Sequence, residues 1–142
     1  MKKSTVKTSK EITDLLKSVN FCHDASLRNI SFRKKREFNR DGSLIYPFED
    51  IKQAIKCDVT TELLLNSFKG AKKKQIVLFE FMDVDLFSFK QNKEFDYSDI
   101  YEVKFQELKD CGYNFVFYAT QNKIDFLSLF CDKVTIVVMD RK

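Results

Sequence analysis

The side chains that could do chemistry are few and scattered. His23 is the only histidine, followed at once by Asp24. A His-Asp pair suits metal-dependent phosphoester hydrolysis, but such a centre needs several histidines and the chain has one. The ordinary role for these two residues is hydrogen bonding to backbone where a helix passes into a strand. Cys22, Cys57, Cys111 and Cys131 complete the set of nucleophiles and soft ligands. A Cys–His nucleophile would have to be assembled from distant segments with no local motif. The cysteine spacing fits no small zinc module and contains no Cys-x-x-Cys pair. With three glycines in the whole chain, a glycine-rich phosphate loop is excluded. No catalytic residue, metal or cofactor is assigned, and the chain reads as a non-enzyme.

Recognition chemistry is better represented. Residues 80–110 carry nine acidic and four basic side chains, whereas residues 1–56 carry seven and 13. In the acidic stretch the carboxylates alternate with aromatic rings. Asp83, Asp85, Glu94, Phe95, Asp96, Tyr97, Asp99 and Glu102 are the candidate partner-binding residues. Rings as anchors with carboxylates around them suit a cationic protein partner. No calcium loop of the D-x-D-x-D-G type accompanies them. The alternative surface is basic: Arg33 to Arg36 and Lys72 to Lys74, near Phe32 and Phe38, could track a nucleic-acid backbone. The sequence pI of about 8.8 lies below the usual range of basic nucleic-acid-binding domains, which disfavours that reading.

The elements that must hold these residues follow from periodicity. Thr8 and Glu11 form a capping box ahead of Ile12, Leu15, Leu16 and Val19, which share one helical face. This predicts a helix over 9–19. Residues 26–38 read as a strand, Asn39-Arg40-Asp41-Gly42 as a turn, and 43–46 as its return. Pro47 with Phe48, Ile51 and Ile55 predicts a short second helix near 48–56. Residues 57–66 alternate apolar and polar. Residues 75–82 are apolar on both faces, so both should be covered, one by the N-terminal helix. Residues 83–89 read as a loop or short edge segment, Cys131-Asp132-Lys133 as a turn. Strands at 100–108, 113–117, 124–130 and 134–139, joined by short turns, predict an antiparallel C-terminal meander.

The expected architecture is α+β: one domain over 1–142, frayed at 1–8, predominantly antiparallel, with the helix packed on the sheet. No apolar run reaches the length of a membrane helix, and no secretory signal follows the basic first residues. Thiols in such a chain are expected to be reduced and the location cytoplasmic. Oligomeric state is not legible.

Three stretches carry a family resemblance. They are Phe21-Cys22-His23-Asp24-Ala25-Ser26-Leu27-Arg28-Asn29-Ile30, the strand Gln75 to Met82 running into Asp83-Val84-Asp85, and Gly112-Tyr113-Asn114-Phe115-Val116-Phe117. Together they resemble small bacterial β-rich proteins, some considered immunity proteins of polymorphic-toxin systems. The chain departs from that pattern in having Cys22 before the histidine and an extra basic and helical stretch over 33–56. The resemblance implies a module that binds and blocks a cognate toxin, with carboxylates meeting the toxin's basic residues.

Overall fold

The computed structural model describes residues 3–6, 8–34, 37–45, 56–65, 74–91, 99–109, 112–120 and 123–141. Their order is β1 (Lys3–Val6), α1 (Ser9–Ser18), a 3-10 turn (Asn20–Cys22), β2 (Ser26–Lys34), β3 (Glu37–Phe38), β4 (Leu44–Ile45), β5 (Cys57–Leu65), β6 (Lys74–Phe89), β7 (Ile100–Glu107), β8 (Tyr113–Ala119) and β9 (Asp125–Arg141). The fold is α+β, one N-terminal helix packed on an antiparallel sheet. The second helix expected near 48–56 lies almost wholly outside the described residues.

The helix begins as its sequence dictates. The Thr8 hydroxyl accepts the Glu11 N–H at 3.2 Å and donates to the Glu11 carboxylate at 2.9 Å. The return bond of the box therefore reaches the hydroxyl rather than a backbone amide. Ile12 and Leu16 are fully buried, with Leu15 and Val19 packed at the core's margin. The chain then turns sharply. Asn20, Phe21 and Cys22 all have positive φ, between 52° and 59°. Side-chain-bearing residues pay roughly 1–2 kcal/mol each for that conformation. Complete burial of Cys22 and Ala25 at the entry to β2 offsets the cost.

The sheet runs β2-β5-β6-β9-β8-β7, every pair antiparallel, with β1 on β9 beyond the end of β8. Strands β7, β8 and β9 form the expected meander. Strand β6 does not join it through β7: it lies beside β9, so the four strands make a Greek key.

At the long strands one expectation fails and one holds in its second form. Residues 83–89 are not a loop but the second half of β6, an edge segment that past Val84 pairs with β9 alone among the described residues, and Cys131-Asp132-Lys133 is not a turn but the middle of β9. The reason is a corner. Phe79 pairs with Ile136, and Phe117 with Leu127, nine positions apart on β9. In a flat sheet that is about 30 Å. Yet the two rings stand edge to face at 5.3 Å. Strands β6 and β9 therefore pass from one layer into a second folded over it, as strands do at the corners of crossed sheets. The register shift between Val84 and Leu86, with Asp83 at φ 56°, marks the corner in β6. Charged residues there are what a solvent-facing bulge requires and what a loop also shows, hence the misreading.

The core lies between the layers. Phe79, Phe81, Phe115, Phe117 and Phe126 meet in it, joined by Ile12 and Leu16 of the helix. On β5 the alternation is complete: Cys57, Val59, Thr61, Leu63 and Leu65 point in and the residues between them are half-buried. On β6 only one face is deep. Val77, Phe79 and Phe81 are fully buried, while Ile76, Leu78 and Met82 are half-buried.

The layers are hooked together at the opposite corner. Ser26 bridges Asp99, the Asp24 N–H donates to the Ile100 carbonyl, and the Ile100 N–H donates to the Ala25 carbonyl, both at 2.8 Å. Away from this hook β2 and β7 part.

Candidate functional site

The corner of β6 gathers charge and exposed apolar surface. Val84 sits between Cys57 and Cys131 on the neighbouring strands, which turns Asp85 and Leu86 outward. The Asp58 carboxylate accepts the Asp83 N–H at 3.2 Å. The Lys56 ammonium is 2.9 Å from Asp132. Its pKa is raised, first by that hydrogen bond, with desolvation opposing and the charges of Asp132, Asp83 and Asp85 assisting. Beside this cluster Phe32 and Leu86 are 63% and 62% exposed. The Phe32 ring leans on Phe87, centroids 6.1 Å apart, across the gap between the layers. Phe89 follows, partly exposed, against Phe126 at 6.3 Å.

Of the residues expected to bind a partner, Asp83 and Asp85 lie at this corner. Glu94, Phe95, Asp96 and Tyr97 lie outside the described residues. Asp99 and Glu102 lie at the hook, where the Asp99 carboxylate accepts from the Ser26 hydroxyl at 3.4 Å and Glu102 pairs with Lys104 at 3.3 Å. The corner is level with Cys57 on β5 and the hook with Leu64, by way of Ser26. Along β5 that separates the two acidic pairs by roughly 20 Å. Nothing in the sequence alone marks Leu86, Lys56, Asp58 or Asp132 for the site, and Phe32 stands out there only as a ring for stacking on bases. Two adjacent polar-rich segments, 56–58 and 83–85, were the available signal, but only strand register brings them together.

His23 has a structural post. Its Nδ1 bonds the Tyr101 carbonyl at 2.7 Å, its ring stands edge-on to Tyr101 at 5.4 Å, and Nε2 lies 3.6 Å from the Asp24 carboxylate. It braces the hook between β2 and β7. Cys22, Cys57 and Cys131 are buried free thiols, and burial pushes Cys22 and Cys131 up to about 12. A neutral, buried thiol is neither nucleophile nor ligand. Cys111 lies outside the described residues. Of the basic runs, Arg33 and Lys34 are exposed on β2, with Arg33 opposite Asp58 in register, and most of the rest lies outside the described residues.

Among the described residues, no group of three or more His, Cys, Asp or Glu side chains is arranged to hold a metal ion, and no helix is long and apolar enough to cross a membrane. Comparison with protein-family models, with curated proteins and with solved structures finds no match.

Proposed function

We propose that this chain is a non-enzymatic protein-binding module of the cytoplasm. On this reading it neutralises a basic protein partner in the manner of an immunity protein. The observation that carries the reading is the β6 corner: Leu86, next to Asp85, and Phe32, against Phe87, are each more than 60% exposed. Large apolar side chains left this open and ringed by charge are the usual makeup of an interface anchor and its rim. The three unlinked buried thiols favour a reducing compartment. The acidic pair would steer a cationic surface toward the anchors.

The test uses the tagged chain as bait in lysate of the source cell, beside a Phe32→Ala/Leu86→Ala variant with an unchanged melting midpoint. A basic protein held by the wild type and lost from the variant supports the reading, more so if the chain abolishes that protein's toxicity on co-expression. For the isolated complex, truncating Phe32 should cost about 2 kcal/mol of binding. Asp85→Lys should act mainly on the association rate, and added salt should slow association by the wild type. A partner bound equally by wild type and both variants would place the interface elsewhere.

A further inference from the structure

We propose that the cleft between α1 and β7 takes an extended segment of a partner protein, which adds to β7 as a further strand. This surface is distinct from the β6 corner and does not depend on it.

The argument starts from hydrogen bonding. Among the described residues, strand β7 pairs only with β8. The Leu108 N–H donates to the Gly112 carbonyl at 2.9 Å, which fixes the phase of the ladder. Antiparallel pairs alternate between bonded and unbonded positions. Glu102, Lys104 and Gln106 therefore turn their backbone groups to β8, and Val103, Phe105 and Glu107 turn theirs away. Among the described residues no backbone bond is received on that side after Ile100, and only the His23 ring reaches the edge, at Tyr101. Val103 is fully buried, so the N–H and carbonyl groups of Phe105 and Glu107 are the ones open along this edge.

What they face is a cleft of about 490 Å³, within the range of ligand sites. Ser9, Thr13 and Leu16 of α1 form the far wall, and Phe21, 37% exposed, closes one end. Edge strands are commonly protected by lysines. Lys104 lines this cleft together with Glu102, but its ammonium is held by partners. Its ammonium lies 3.3 Å from Glu102 and over the Tyr118 ring at 5.7 Å, drawn back toward β8. Glu107 lines the cleft and makes no ion pair among the described residues.

These features select the occupant. Edge-to-edge pairing with a second copy would bring that copy's own α1 against this one, because the helix stands where the neighbouring sheet would continue. A lone extended segment has no such obstacle. Its backbone would bond Phe105 and Glu107. Alternate side chains would be apolar, set against Phe21 and Phe105, with a lysine or arginine opposite Glu107. This is strand addition, in which the main chain supplies affinity and alternate pockets supply selectivity.

The experiment uses the full chain and a library of random short peptides displayed on phage. Enriched peptides should alternate apolar residues and carry a basic one. Added to labelled protein, such a peptide should slow amide exchange at Phe105 and Glu107. These amides should exchange faster than those of Glu102, Lys104 and Gln106 in the free chain. N-methylation of the peptide at the positions facing β7 should weaken binding roughly tenfold per site, one hydrogen bond lost with its partner left unpaired. Methylation at the intervening positions should leave binding unchanged. Thr13→Trp, which fills the cleft from the helix side, should abolish binding. The proposal is overturned if no peptide is enriched, if both methylation sets act alike, or if protection appears elsewhere. It is also overturned if the free chain already protects these amides in a dimer, which would make the occupant a second copy.

Discussion

Cys22 and Cys131 show how completely surroundings decide the chemistry of a residue. A free thiol ionises near pH 8.5, but burial pushes both up to about 12. The folded state keeps protons that the unfolded state gives up, so folding is favoured less as these thiols ionise in the unfolded chain. Their contribution is fully present below about pH 8.5 and is lost as pH rises from there toward 12. Two outcomes follow. Iodoacetamide at pH 8 should leave Cys22 and Cys131 unlabelled in the folded chain, with labelling appearing in guanidinium, as peptide mapping would show. The denaturation midpoint of the wild type should also fall above pH 9 more steeply than that of Cys22→Ala. Rapid labelling of Cys22 in the folded chain would mean that its site is open. The sequence counted these thiols correctly, but their inertness depends on packing between helix, turn and core that no local pattern announces.

At the scale of elements, the corner of β6 is both the least legible feature and the most consequential. The helix was readable because its cap and apolar stripe are local. Strand β5 was readable because one face is buried throughout, so alternation survives. Residues 83–89 were not, because a bulge puts one extra residue into the strand and breaks the period on which the reading relies. Asp83 carries the sharpest part of the bend at φ 56°. Asp and Asn tolerate that conformation because their short polar side chains bond locally, whereas a β-branched side chain does not. Asp83→Asn should therefore cost little, and Asp83→Val about 2 kcal/mol of stability, read from urea denaturation at constant slope. Equal losses would mean that the carboxylate charge, rather than the backbone, holds the corner. The same corner makes the candidate site hard to foresee: Phe32 and Leu86 belong to separate strands that β5 keeps apart in the sheet, and only the folding-over of β6 brings Phe87, next to Leu86, against Phe32.

The whole molecule stands on that folding-over. One antiparallel sheet, bent across two long strands and hooked at Ser26 and Asp99, becomes two facing layers with a phenylalanine-rich interior. Phe79, Phe81, Phe115, Phe117 and Phe126 fill the gap between layers through edge-to-face, tilted and stacked contacts, and none needs a buried N–H satisfied. The folding-over also makes a long-range claim that can be measured. Phe79 and Phe117 lie in different layers with centroids 5.3 Å apart and an interplanar angle of 74°. Each should be replaced by leucine, singly and together, which keeps the core apolar and limits the cavity. If the rings touch, the double variant should be less destabilised than the sum of the singles, by about 0.5–1.5 kcal/mol, the usual strength of an aromatic pair. If the sheet ran flat, residues about 30 Å apart along β9 would not sense one another, and the losses would simply add. Additivity would therefore dissolve both the two-layer core and the corner on which the proposed partner surface is built.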